Sequence, residues 1–413
     1  MKDINQFTIK ILDNINDIYK RNGTETVDIS FMNGISGLAL ANLVVGRKLN
    51  DDKYIQYSKD IMEDVLERIN EERYKLKDIS SYCNGFAGVC EILNLFSKEK
   101  ILDEDLNEDL EEFDEFLYEN AIGLFEKNNP DFLHGAMGIL YYFSNRYSEY
   151  SPKIENFIDR LIEKYEEKAI IDEKGVRIFN SILQDQEENE FNFSLSHGLS
   201  GQLIIFSEIY KKHKSTRLKE LILGIEKYIS SYQKEPLSEN NAFNTYYPTF
   251  IVEKKNTLKD EQDSGYSSRL AWCYGELNYA LMYFKLHEVF HKEVYYQKAI
   301  QVLENTIPRN NPKDAKIGSP FFCHGASGLM AINMVFFTKT GNQAYREIAH
   351  YWLKYINETF EKESLYSIIE SESLSLLEGG TGFVLGLVSL IDSGSGIKYE
   401  PGKEIYGGLL LLN

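Results

Sequence analysis

A Gly-x-x-Gly unit opening an apolar run recurs along this chain, and no other feature narrows the possible folds so far. Copies begin at Gly34, Gly85, Gly135, Gly198, Gly325 and Gly379, with second glycines at Gly37, Gly88, Gly138, Gly201, Gly328 and Gly382. A seventh begins at Gly275, where Asn278 stands in the place of the second glycine. In chain order the seven starts are 51, 50, 63, 77, 50 and 54 residues apart. Self-similarity at such a period marks one repeat architecture, in which each unit buries its apolar face against its neighbours.

After each glycine pair comes a helix-length stretch that is apolar nearly all round, as in GLMAINMVFF, GQLIIFSEIY and GILYYF. A helix of that kind is buried on most faces. Ahead of each pair lies a longer stretch with apolar residues at i, i+3, i+4 and i+7 and charges between, as in YIQYSKDIMEDVLERI and RLKELILGIEKYISSY. That pattern turns one face to a core and the other to water. Strict alternation of the two predicts an all-α fold: an α/α toroid, or double barrel, of seven inner and seven outer helices, forming a single domain over residues 1–413. Closure is expected rather than an open solenoid, because neither end carries a polar capping repeat. The glycines let neighbouring helices and loops approach closely, and a toroid gathers all their turns at one mouth. Two connections, 168–196 and 233–270, are long and polar, hold strand-like pieces (GVRIF, TFIVEKK) and lead into glycine turns, which places both at that mouth. Loops of such length in a compact domain are usually functional or disordered.

Composition removes several classes of function. A formal charge of −19 argues against nucleic acid, whose phosphates need a clustered basic surface. No apolar run is long enough to span a bilayer, and the acid-bearing start MKDINQFTIKILDNINDIYK does not read as a secretion signal. The expected location is therefore cytoplasmic. There the four cysteines, Cys83, Cys90, Cys273 and Cys323, are candidates for free thiols or metal ligands before disulfides.

The chemistry-bearing residues cluster beside the glycine turns. The fifth turn reads Arg269-Leu-Ala-Trp-Cys273-Tyr274-Gly275, and the sixth reads Phe-Phe-Cys323-His324-Gly325. One cysteine beside a helix start reads as a small buried residue. A Cys and a Cys-His pair at equivalent places in adjacent repeats read as a zinc site with three protein ligands and an open fourth position. Two thiolates cancel the ion's charge, so an added substrate thiolate stays electron-rich, which suits thiol alkylation better than water activation. The third turn supplies Asp131-Phe-Leu-His134-Gly135 and the fourth Ser196-His197-Gly198. His134 and His197 precede their glycines as His324 does, so either is an alternative ligand. A competing motif, His287-Glu288-Val-Phe-His291, matches the zincin pattern. It starts 12 residues past Gly275, at the far end of its helix with no third ligand nearby, and the protease reading is set aside. Cys90 reads as core, and Cys83 lies between core and mouth.

The repeat count, Trp-Cys-Tyr-Gly ending at Gly275, Cys-His-Gly ending at Gly325 and Ser-His-Gly ending at Gly198 resemble the lanthionine synthetase C-like (LanC-type) cyclases. The resemblance runs from the first repeat to Gly382. A chain with no dehydratase or kinase region is similar to the separate cyclase of class I lantibiotic pathways. The resemblance implies an α/α toroid with one zinc on Cys273, Cys323 and His324. It implies Michael-type addition of peptide cysteine to dehydroalanine or dehydrobutyrine, forming lanthionine or methyllanthionine. His197 matches the family's acid/base histidine, and Asp131, Arg269 and Tyr274 match its other polar active-site positions. Implied partners are a dehydrated precursor peptide (leader plus core) and the dehydratase and exporter of the same pathway, with peripheral association at the cytoplasmic membrane. Independently, an arginine near a forming enolate makes electrostatic sense, and an aspartate can hold a histidine's tautomer. The structural alternatives are that Asp131 caps a helix and Arg269 pairs with a surface acid.

Two other functions fit the same motifs. The zinc site could alkylate a different thiol, such as glutathione or a prenyl-accepting cysteine. The fold could instead serve as a non-catalytic peptide-binding scaffold.

Overall fold

The structure is a computed structural model that describes residues 4–21, 27–103, 106–147, 151–182, 190–236, 245–253, 265–360, 374–391 and 405–412. Each glycine turn is followed by a buried helix: Ile35–Leu49, Phe86–Lys98, Ala136–Arg146, Leu199–Lys212, Glu276–Phe290, Ala326–Thr340 and Gly380–Val388. Half-buried helices precede the turns: Ile4–Arg21, Asp52–Asn70, Asn107–Glu126, Pro152–Lys168, Thr216–Ser230, Glu293–Thr306 and Gln343–Thr359. The alternation read from the sequence is met helix for helix. Every residue from Ala326 to Phe336 is buried, as an apolar surface all round requires. Pro152–Lys168 instead buries the stripe Ile154, Phe157, Ile158, Leu161, Ile162 and Tyr165. Each such side chain contributes about 1.5–3 kcal/mol on leaving water.

The chain divides into two compact units, Met1–Glu111 with Ile317–Asn413, and Glu112–Lys316. The first unit holds the sixth, seventh, first and second glycine turns, linked by backbone hydrogen bonds. Cys323 N–H donates to Leu377 O (2.8 Å), Leu376 N–H to Met32 O (2.8 Å) and Met32 N–H to Cys83 O (3.0 Å). The seventh turn is thus bonded directly to the first, and first and last repeats meet as expected. Phe7 and Phe383, edge to face at 6.2 Å, join the same two repeats.

The second unit holds the third, fourth and fifth turns and the two long connections. The expected strand pieces form in both. Ile170–Asp172 pairs with Gly175–Arg177 in a hairpin, and Glu190–Asn192 runs antiparallel to Phe250–Val252 with Phe191 opposite Ile251. Residues 183–189, 237–244 and 254–264 of these connections lie outside the described residues. Buried Arg177 grips Asp172 through two 3.0 Å bonds and Glu253 through two of 2.9 and 3.2 Å, fastening the hairpin to the second connection.

Why the turns need glycine is plain at Gly201, where an added Cβ would sit 2.0 Å from Leu195 O. The fifth turn is built differently. Gly275 has φ +117°, a conformation open to glycine, and Asn278 fills the second position. Its Nδ2 donates to Trp272 O (2.8 Å), while its Oδ1 accepts from Leu195 N–H (3.0 Å). Asn278 is therefore a polar strut between the fourth and fifth turns.

Candidate active site

One register of the repeat explains how the central side chains are placed. Four residues before the first glycine stand Ser30, Ser81, Ser194 and Ser375, with Ala271 and Phe321 in the fifth and sixth copies and Asp131 in the third. In three of these copies the serine oxygen accepts the N–H three residues on: Ser81 from Asn84 (3.0 Å), Ser194 from His197 (3.2 Å) and Ser375 from Glu378 (3.1 Å). Asp131 does the same with Oδ1, accepting from His134 N–H at 2.9 Å. A carboxylate has a second oxygen to spare. Asp131 Oδ2 accepts from His197 Nδ1 (2.8 Å) and from Asn180 Nδ2 (2.9 Å). The residue that shapes the third turn therefore also holds the histidine of the fourth.

Burial and pairing set the charges of this pair. Asp131 is fully buried. Burial pushes its carboxyl up, yet the hydrogen bond and charge of His197, with the donors of Asn180 and His134 N–H, together hold it below its ordinary value. For His197, burial pulls the imidazole down, but the Asp131 hydrogen bond and charge outweigh it, with a smaller push from Cys273, and the group ends raised. With Nδ1–H committed to Asp131, Nε2 is the nitrogen left to exchange a proton.

The surroundings of His197 belong to the same unit. The His134 ring lies nearly parallel to it (centroids 6.0 Å apart, 16°), and the Tyr274 ring is tilted against it at 5.8 Å. Tyr274 is pushed up to about 12, chiefly by burial, so its hydroxyl keeps its proton; Asn192 Nδ2 donates to that oxygen at 3.4 Å. Ser196 donates through N–H (3.3 Å) and Oγ (3.1 Å) to Cys273 O. These bonds stitch the buried Cys273 turn to the residue beside His197. Arg269 is exposed, and among the described residues no hydrogen bond or ion pair joins it to this group.

In the first unit, Cys323 and His324 occupy the sixth turn and are half-buried. His324 Nδ1 lies 3.4 Å from Glu378 Oε1 of the seventh turn. Cys90 is buried in its helix, and Cys83 is buried in the second turn, its Sγ donating to Asn84 Oδ1 at 3.5 Å. The zincin-like motif is not arranged for a metal. His287 closes the helix by donating from Nδ1 to Lys292 O (3.1 Å), Glu288 is tied to Lys285 and Lys211, and His291 lies past the helix end with φ 53°.

Sequence reasoning passed over Asn180, Asn192 and Glu378. Asn192 carried a usable signal: six residues before its glycine, it accepts Ser194 N–H at 2.8 Å, as Asp28 accepts Ser30 N–H before Gly34. Glu378 carried one too, standing immediately before Gly379 as His134, His197 and His324 stand before their glycines, whereas Asn180 stands in no repeated register.

These observations define an all-α repeat protein of helix pairs joined by glycine turns. The chain belongs to the lanthionine synthetase C-like proteins, whose family profile matches residues 25–396. Among solved structures it is similar to nisin cyclase, at 18% identity and TM-score 0.72, with 98% of each chain covered. The fold is accordingly the α/α toroid. An inactive alpha-1,6-mannanase variant from Salegentibacter sp. HEL1_6 is a more distant likeness, at 12% identity and TM-score 0.44 over 100% of both chains. None of the curated proteins matches the sequence. Among the described residues, no helix is long and apolar enough to cross a membrane.

Proposed function

We propose that this protein is a zinc-dependent peptide cyclase that adds cysteine thiols to dehydroalanine or dehydrobutyrine, closing lanthionine or methyllanthionine rings in a lantibiotic precursor. The observation that carries the proposal is the buried Asp131–His197 pair set beside the Cys273 turn. Membership of the lanthionine synthetase C-like family and the likeness to a protein named nisin cyclase support it.

The metal ligands of the proposal are Cys273, Cys323 and His324. Each stands within two residues of the first glycine of its turn, and two thiolates with one imidazole suit zinc. Glu378 beside Nδ1 of His324 is the outer partner that orients a ligating imidazole, leaving Nε2 for the metal. When bound there, zinc lowers the pKa of a substrate thiol and holds it as thiolate.

The chain's own side chains do the rest. The new bond joins sulfur to the β-carbon of the dehydro residue, and the alkene electron pair moves toward the carbonyl as an enolate. His197 Nε2 takes the thiol proton and returns it to the α-carbon, so no oxidant or reductant is needed. Asp131 fixes the histidine tautomer and balances the imidazolium. Tyr274, kept as a phenol, and the Arg269 guanidinium serve the developing enolate oxygen as donors. The substrate in this proposal is a dehydrated leader-plus-core peptide, met in the cytoplasm together with the pathway's dehydratase and exporter at the membrane surface.

Elemental analysis of the wild type and of Cys273→Ala and Cys323→Ala tests the proposal. About one zinc per chain, lost in both variants, is the expected result. Zinc kept in both variants, or missing from wild type purified without chelator, would overturn it.

A further inference from the structure

The long connection between the hairpin and the fourth turn does more than span a gap. Residues 178–182 lie across the third turn: Ser181 N–H donates to Asn128 O (2.8 Å) and Ser181 Oγ to Lys127 O (3.0 Å). Between these anchors and the hairpin stands Asn180, 2% exposed. Its Nδ2 donates to Asp131 Oδ2 (2.9 Å) and to His197 O (2.8 Å), and its Oδ1 accepts from Ile182 N–H (3.0 Å). Both amide hydrogens face acceptors and the oxygen faces a donor, so the orientation of the group is fixed by its partners.

The arrangement has two consequences. Asp131 Oδ2 is shared by two donors, His197 Nδ1 from the fourth turn and Asn180 Nδ2 from the connection. The carboxylate is held against rotation, and its charge-assisted bonds are short and directional. The second hydrogen pins the backbone carbonyl of His197, setting where that residue's Cα sits relative to Asp131. One amide thus fixes both ends of the Asp131–His197 bond.

We propose that Asn180 is a positioning residue for the acid/base pair, locking the Asp131 carboxylate and the His197 backbone so that the imidazole keeps its proton on Nδ1 and presents Nε2 to the thiol. The proposal rests on the acid/base role given to His197 above. It also makes residues 178–182 a working part of the site.

The test compares Asn180→Ala, Asn180→Asp and Ser181→Ala with wild type in two readouts. The first is the tautomer of the His197 ring in the free protein, read from nitrogen NMR of the imidazole against a His197→Gln blank. The second is kcat and KM on a model peptide carrying one cysteine and one dehydroalanine. Wild type is expected to show a single tautomer with Nδ1 protonated. Asn180→Ala removes both donors, and Asn180→Asp keeps the shape but turns them into acceptors. Both are expected to mix the tautomers and lower kcat roughly 10-fold or more, the usual scale for the outer partner of a functional histidine, with KM within about 2-fold. Ser181→Ala removes only the Oγ bond to Lys127 O, keeps the Ser181 N–H bond to Asn128 O that anchors the segment, and is expected to change neither readout. Thermal unfolding of each variant separates misfolding from mispositioning, because the tautomer is read only on folded protein. A single unchanged tautomer in both Asn180 variants would overturn the inference, as would equal losses in Ser181→Ala. Mixed tautomers in the Asn180 variants of a protein that closes no rings would leave the positioning role standing and remove the cyclase function instead.

Discussion

Replacing Asp131 by asparagine probes the charge of the site without changing its shape. The amide oxygen can still accept His134 N–H, now 2.9 Å from Oδ1. The amide nitrogen then faces two donors, His197 Nδ1 and Asn180 Nδ2, at the place where Oδ2 now accepts both. Turning the amide over only moves the loss to His134. In either orientation a buried N–H is left facing the amide nitrogen and the charge that held His197 is gone, so the variant should lose roughly 3–5 kcal/mol, the scale for breaking a buried ion pair. The loss depends on pH in a defined way. Asp131 is lowered below 3.8 in the folded protein, so its contribution is present above that value and fades as pH falls through the folded pKa. His197 is raised above 6.5, so its contribution is complete below 6.5 and fades as pH rises through the folded pKa. The gap between wild type and variant should therefore be widest between pH 3.8 and 6.5 and narrow on the alkaline side. Urea midpoints at pH 5 and pH 9, with unchanged slopes, measure it, and kcat should fall by about 10²–10⁴. A loss under about 1 kcal/mol that is flat with pH, together with unchanged kcat, would reduce Asp131 to a turn-forming residue and refute the reasoning.

Other substitutions examine the frame around the site. Gly201→Ala should cost about 3 kcal/mol or more in denaturant unfolding, because its Cβ would lie 2.0 Å from Leu195 O. Gly123→Ala meets nothing within 4 Å and should instead gain up to about 1 kcal/mol from helix propensity. Asn278→Ala strands the buried Leu195 N–H it now serves and should lose about 1–3 kcal/mol, which a melting curve will show. His287→Ala and Glu288→Gln should leave zinc content and ring closure unchanged, since both residues are engaged at the helix end. A tenfold loss of activity in either would reopen the zincin-like motif.

Apolar periodicity made the helices legible from the sequence, because each surface pattern has only one burial it can satisfy. The glycine register placed the turns, and the absence of a polar end repeat anticipated the bond from Leu376 to Met32. The Asp131–His197 contact was less legible. It links residues 66 apart, and its logic lies in a serine register where an aspartate supplies one oxygen for the turn and one for the histidine. Asn180 could not be read at all, since it stands in an irregular connection whose path is set by Ser181 and the hairpin rather than by any repeat. Arg269 shows the opposite limit. The motif around Cys273 drew attention to it, whereas its side chain is exposed and no hydrogen bond or ion pair among the described residues ties it to the Asp131–His197 group.

The most direct measurement is to incubate the purified protein with a model peptide bearing one cysteine and one dehydroalanine, then record peptide mass and free thiol together. Ring closure predicts loss of the thiol at unchanged mass, dependent on protein and abolished in His197→Ala. A thiol that persists, or one lost only with a gain in mass from an added partner, would contradict it.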